Sequence, residues 1–147
     1  MLDISVKTFN QLSLEELYHL LQLRSEVFVV EQDCVYQDVD GKDQNALHVI
    51  GKKENTIIAY TRIFQPGDYF KEASIGRVVV SKKFRHLNYG HQLMVASIKA
   101  VESSFNTTEI KLSAQKYLEK FYNNLGFKTI GESYLEDGIP HIAMTKH

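Results

Sequence analysis

Three consecutive valines, Val78-Val79-Val80, followed nine residues later by an amphipathic segment from Tyr89 to Phe105, restrict this chain more than any other feature. A continuous β-branched run reads as a strand buried on both faces. The stripe Met94, Ile98, Val101 and Phe105 recurs at helical spacing. A strand that feeds a helix through a short turn belongs to a layered α/β arrangement, and ligands gather at the carboxyl ends of such strands.

The rest of the chain supplies matching elements. Ile4–Phe9 reads as a first strand. Ser13 with Glu16 forms a capping box that opens a helix running to about Val30, with Leu14, Leu17, Leu21 and Phe28 as its apolar stripe. Ala46–Lys53 and Ile57–Gln65 form a hairpin around Glu54-Asn55-Thr56. Ser74–Ser81 is the strand that carries the valines, and Glu109–Ala114 is the next strand. A short helix over Leu118–Leu125 stops at Gly126, a left-handed cap. Phe127–Leu135 and Ile139–Thr145 close the chain as a hairpin around Asp137-Gly138. The order β-α-β-β-β-α-β-α-β-β predicts a mixed central sheet flanked by helices, with residues 1–147 as one domain.

With 44% hydrophobic and 24% charged residues, the composition is that of an ordinary globular chain. A net charge of -1 gives no general attraction to nucleic acid or to an anionic membrane. No apolar run approaches the roughly 20 residues of a membrane span, and Met1-Leu2-Asp3-Ile4 has no secretory character. The lone Cys34 suits a reducing, cytoplasmic setting and reads as an incidental thiol. Charge is unevenly placed. Residues 26–43 carry Glu26, Glu31, Asp33, Asp38, Asp40 and Asp43 against Lys42 alone, a net -5 that suggests a cationic partner. Asp38-Val39-Asp40-Gly41-Lys42-Asp43 lacks the ligand spacing of a calcium loop, and no His/Cys cluster suits zinc, so no metal is expected.

Between the valine strand and its helix lies Arg85-His86-Leu87-Asn88-Tyr89-Gly90. A helix start presents unpaired N–H groups and a partial positive charge, both favourable to phosphate, and Arg85 adds a fork of donors. This segment is neither a Walker loop nor a dinucleotide fingerprint. Together with Ile75–Ser81 it resembles motif A of the GNAT family of N-acetyltransferases, whose pattern is Q/R-x-x-G-x-G/A. Arg85 and Gly90 fill the outer positions; Asn88 replaces the middle glycine and tolerates the left-handed backbone needed there. Gln115 through Phe121-Tyr122-Asn-Asn-Leu-Gly126-Phe127 resembles the same family's motif B. Leu23-Arg24-x-Glu26-Val27-Phe28-Val29-Val30-Glu31-Gln32, Tyr36–Gly41, His48 and Glu136–Ile142 are similar to its ElaA-type branch.

The resemblance implies a GNAT-like acyl-CoA N-acyltransferase fold and transfer of acetyl from acetyl-CoA to a primary amine by direct attack. It implies that the amides from Arg85, His86, Leu87, Asn88 and Tyr89 to Gly90 hold the pyrophosphate of CoA. The edge Val78, Val79, Val80 would pair with the pantetheine arm, and Gln115 would offer its amide to the same ligand. Tyr122, following the family pattern, would protonate the leaving thiolate. An amide of Val79 or Val80 is expected at the thioester oxygen. His48, with an ordinary pKa of about 6.5, is the candidate base, with His141 and Glu26 as alternatives. Arg62 and Arg77 would orient an acidic acceptor or pair with an internal carboxylate. A non-catalytic acyl-CoA-binding module and a transferase of longer acyl chains are the competing readings. Arg24-x-x-x-Phe28 resembles the N-terminal pattern of acyl-homoserine-lactone synthases, whereas Arg85 and Gly90 follow the acetyltransferase form. Exposed strands leave room for a homodimer.

Overall fold

The computed structural model describes residues 2–147. The elements run β1 Asp3–Thr8, α1 Leu14–Arg24, β2 Leu47–Lys53, β3 Thr56–Phe64, β4 Ala73–Val80, α2 Tyr89–Phe105, β5 Ile110–Gln115, α3 Glu119–Asn123, β6 Lys128–Glu136 and β7 Ile139–Lys146. This is the expected order, and the mixed sheet flanked by helices is present. Seven strands form one sheet in the order β1-β2-β3-β4-β5-β7-β6. Only β4 and β5 are parallel, because α2 carries the chain back over the sheet between them. The other pairs are antiparallel. Tight turns close two hairpins where Glu54-Asn55 and Asp137-Gly138 both take positive φ. Gly126 caps the segment after α3 at φ +94°.

Two cores sandwich the sheet. On one face Leu93, Met94 and Val101 of α2 pack against Ile63, Ile75, Leu112 and Met144, joined by Phe127. Ser97 is also buried there, its hydroxyl bonded to Thr61 at 2.7 Å and within 2.8 Å of the Leu93 carbonyl, so no polar group is stranded. On the other face α1 and the turn after it pack on Ile50, Ile57, Tyr60 and Val79.

The phase of α1 differs from the one expected. Leu14 is 88% exposed, and the inward stripe is Leu20, Leu23, Val27 and Phe28. The partners of Glu16 decide this, Lys7 and Lys52 above all. Ser13 Oγ accepts from the Glu16 amide at 3.0 Å, and Glu16 returns a bond to the Ser13 amide at 3.0 Å. Glu16 itself faces inward, where Lys7 and Lys52 bind its carboxylate at 2.8 and 3.1 Å. With Glu16 turned to the sheet, the leucine set in register with it is buried. After Arg24 the helix widens into a π-helical segment, Ser25–Glu31, so the helical run ends about where it was expected to.

Two consequences are measurable. Ser13→Ala leaves the Glu16 amide at the α1 start without its partner and lowers unfolding stability by about 1 kcal/mol in denaturant titration. Burial pushes the Glu16 carboxyl upward, but Lys7, the Ser13 amide and Lys52 outweigh it and hold its pKa at about 2. The folded value lies below the unfolded one, so the stabilisation is complete above pH 4.5 and fades as pH falls toward 2. Glu16→Gln removes on the order of 2 kcal/mol at neutral pH and flattens the acid limb of the stability curve.

Candidate active site

β4 and β5 pair only at Ala73–Ile110 and Ser74–Lys111, then diverge. The rest of β4 therefore has an open edge in the middle of the sheet. This explains why the valine run is not buried on both faces as expected: Val79 is 3% exposed, while Val78 and Val80 are half-buried. A bulge shapes the edge further. Tyr60 opposes Val79 and Arg62 opposes Gly76, so β4 carries an extra residue, and Arg77 takes φ +50° there. Arg77 and Val78 pair with neither neighbouring strand.

The ladder alternation assigns the main-chain groups. The Ser81 amide bonds the Ile58 carbonyl at 2.7 Å, which turns the main chain of Val79 toward Tyr60 on β3 and that of Val80 toward the gap. Of the two valines expected to offer an amide there, Val79 is already committed. Val78, unpaired at the bulge, and Val80 are the ones that face the gap. The Val80 carbonyl accepts from Arg85 Nε at 3.0 Å.

Beyond β4 the chain turns through His86 and Asn88, both at φ +66°, so Asn88 takes the left-handed geometry expected of it. Asn88 is the N-cap of α2, yet no side chain caps this helix and no acid lies in its first turn. Its first amides are thus available to an anion. His86 and Leu87 are exposed, Tyr89 is buried, and a methyl group on Gly90 would meet only ordinary contacts with Phe121 and Val80. The Arg85 fork does not point to open solvent. Its Nη1 and Nη2 both engage the Glu31 carboxylate, the Nη2 contact at 2.9 Å, and this pairing holds the Glu31 carboxyl below its usual range. Arg85 thus ties the turn to the end of the π-helical segment, leaving main-chain amides as the anion donors.

A cleft opens from the gap, with Val78, Phe28 and Tyr36 on one side and Gln115, Tyr122 and His141 on the other. Tyr122 is 4% exposed, its ring set edge-on between Phe121 and Phe127, and burial raises its phenol pKa. Tyr122 is among the residues that line the cleft. Gln115 exchanges amide contacts with Gln32 at 3.3 and 3.5 Å.

His48 does not reach this cleft, contrary to its expected role as base. It is fully buried, 2.9 Å from the Asp43 carbonyl through Nε2 and 2.5 Å from the Tyr60 hydroxyl through Nδ1. A carbonyl only accepts, so Nε2 carries the hydrogen and Nδ1 receives the Tyr60 O–H. Burial lowers its pKa, and neither nitrogen is free. Glu26 is exposed outside the cleft. His141 is the alternative that lies in it. Its Nδ1–H donates to the Ile139 carbonyl at 2.7 Å, leaving the Nε2 lone pair 3.5 Å from Glu136. Glu136 also accepts from Ser113 Oγ at 3.2 Å; Ser113 contacts the Tyr134 hydroxyl, and the Tyr134 ring stacks on His141. Sequence reading missed Ser113 and gave no role to Glu136 and Gln32, which it held only within the segments of family resemblance. The alternation along β5, Ser113 then Gln115, was the available signal, since both sit on the face that carries His141.

The acidic segment is spent internally. Asp38 and Asp43 bind Arg24 at 2.8 Å, Asp40 and Asp43 bind Arg62 at 2.8 and 3.1 Å, and Asp38 lies 2.7 Å from Arg77 Nε. Burial alone would raise the Asp40 carboxyl, but the Arg62 fork outweighs it and holds its pKa at about 2. With Glu31 bound by Arg85, four of the six acids therefore answer four arginines. Arg62 and Arg77 thus stand in internal ion pairs. Cys34 is buried at the cleft wall, with its sulfur 3.2 Å from the Asp137 carbonyl.

Residues 8–147 match the family model described as an acetyltransferase (GNAT) domain. The protein ElaA of Escherichia coli K12 is 42% identical over 139 residues, covering 93% of this chain and 91% of that one. A crystal structure of an acyl-CoA N-acyltransferase from Pseudomonas aeruginosa superposes over the full length of both chains with a TM-score of 0.93 at 44% identity. The acyl-homoserine-lactone synthase LasI shares the fold with a TM-score of 0.79, at 11% identity over 99% of this chain and 89% of its own. The chain belongs to the GNAT acetyltransferase family and sits with its ElaA-like members.

Proposed function

We propose that this acyltransferase uses acetyl-CoA to acetylate a primary amine, both substrates being held together in the one cleft. The observation that carries the reading is the unpaired Val78–Val80 edge lying directly before the uncapped start of α2. An extended amide-bearing arm fits the first, and a diphosphate fits the second. Acetyl-CoA has both parts and supplies the activated acyl group.

The residues divide the work as follows. The Val78 amide, left free by the bulge, donates to the acyl oxygen as charge develops there. His141 Nε2 takes a proton from the acceptor ammonium, and Glu136 stabilises the imidazolium that forms. Tyr122 donates its hydroxyl proton to the departing thiolate. Burial keeps the phenol protonated across the neutral range, so the donor is always loaded. Gln115 and Gln32 offer amides to the arm within the cleft. Arg85 braces the phosphate turn through Glu31 and the Val80 carbonyl.

Thiol release from acetyl-CoA across a panel of amines tests the reading, with amine-dependent turnover expected. A chain that binds acetyl-CoA but releases thiol with no amine is a binding module and contradicts it. Tyr122→Phe retains the fold and CoA affinity while kcat falls by roughly 10²-fold. His141→Gln lowers kcat by about 10² and His48→Gln changes kcat little, although it lowers thermal stability. The reverse ranking of the two histidines would return His48 to the chemistry. Competition between acetyl-CoA and long-chain acyl-CoA identifies the donor: acetyl-CoA binds better if the reading is right.

A further inference from the structure

Beyond Glu136 the cleft continues into an annex that the acetyl-transfer residues do not use. It shares Gly76, Arg77, Ser113 and Glu136 with the main cleft and is walled by Phe64, Tyr69 and Phe70. α1 and its π-helical extension cover the sheet face over β2, β3 and Val79, whereas the β4–β7 part carrying Ser74, Gly76 and Ser113 forms the annex floor. The wall is built rather than accidental. Tyr69 stacks on Phe64 at 5.3 Å and 14°, Phe70 meets Tyr69 edge-on at 4.9 Å, and the Gly67 amide ties the loop to the Phe70 carbonyl at 2.8 Å.

The charge around this annex is polarised. The Lys111 ammonium lies 4.8 Å from the Phe70 ring centre, and that of Lys42 lies 5.6 Å from Tyr69. Neither lysine forms an ion pair among the described residues, while Asp38, Asp40 and Asp43 are already matched by arginines. At the opposite end stand the Glu136 carboxylate and the His141 lone pair. Arg62 and Arg77, which line the annex, are already held by Asp40 and Asp38, whereas the two lysines stand beside its aromatic wall with their charges unmatched among the described residues, and the other end offers a carboxylate and a base.

We propose that the acceptor is an amino-acid-like zwitterion, with its amine at Glu136 and His141 and its carboxylate at Lys111 and Lys42 in the aromatic annex. The assignment rests on the acyltransferase reading and gives its acceptor a chemical class. An isolated polyamine would place a second cation against the lysines, and like charges disfavour it. A carboxylate reaching the aromatic wall would take charge-assisted bonds from these ammonium groups.

Thiol release from acetyl-CoA is measured for amino acids and for their decarboxylated counterparts, phenylalanine against phenethylamine and lysine against cadaverine among them. At least one carboxylate-bearing acceptor is expected to exceed its counterpart by about tenfold or more in kcat/KM. Lys111→Ala raises KM for that acceptor by about tenfold with kcat nearly unchanged, Lys111→Arg restores it, and the decarboxylated amine is unaffected by either. Equal or better turnover of every decarboxylated partner, or a KM indifferent to Lys111→Ala, overturns the assignment and leaves the acyltransferase reading standing. Absence of thiol release with any amine overturns that reading and this assignment with it.

Discussion

Everything distinctive about this molecule follows from one interrupted strand pairing. A strand in the middle of a sheet normally satisfies main-chain donors and acceptors on both edges, because an unpaired buried amide is costly. Here β4 leaves β5 after two residue pairs, and the bulge at Arg77 frees the main chain of Val78 from β3 as well. The sheet stays intact because β1–β3 hold β4 from one side and the β7–β6 hairpin holds β5 from the other. What remains between them is a slot with strand-like main-chain groups and no strand to fill it. Its chemistry selects an extended ligand that carries amides of its own.

The bulge depends in turn on the ion-pair cluster. A left-handed arginine is strained by roughly 1 kcal/mol or more. Arg77 is held in place by Asp38, through its carboxylate at 2.7 Å and its carbonyl at 2.9 Å. Asp38 is fixed by Arg24, and Arg24 shares Asp43 with Arg62. The chain after the π-helical segment is thus strapped over the sheet face, which sets Tyr36 and Cys34 against the cleft. His48 and Tyr60 lie beneath this strap and bind it through the Asp43 carbonyl. Their role is to seat the loop, so the acids and the histidine that looked like chemistry serve geometry instead.

Much of the fold was legible because its signals are local. The Ser13–Glu16 box, the Gly126 cap, the Asp137-Gly138 turn and the valine strand feeding α2 all appear where local rules place them. The turn after β4 was legible for the same reason, since Asn88 and the uncapped helix start depend on neighbours in sequence. The helix phase was not, because two leucine stripes compete and the choice lies with Lys7 and Lys52, distant in the chain. Burial of the valine run was overstated because strand divergence is invisible in a periodicity. His48 and the acidic segment misled for a related reason. A histidine or a carboxylate advertises its type in the sequence, but the arginine or carbonyl that occupies it comes from elsewhere. The same non-locality hid Glu136 and Ser113, which meet only when β5, β6 and β7 are aligned.

Main-chain hydrogen exchange, followed residue by residue with and without CoA, addresses the slot most directly. In the free protein the Val79 amide, bonded within the β3–β4 ladder, exchanges slowly, while those of Val78 and Val80 exchange fast. Addition of CoA is predicted to slow Val78 and Val80, together with the amides of Tyr89, Gly90 and His91 at the start of α2. CoA binding that leaves Val78 and Val80 exchanging at their free rates would contradict the account, because the ligand would then be held somewhere other than the open edge of β4.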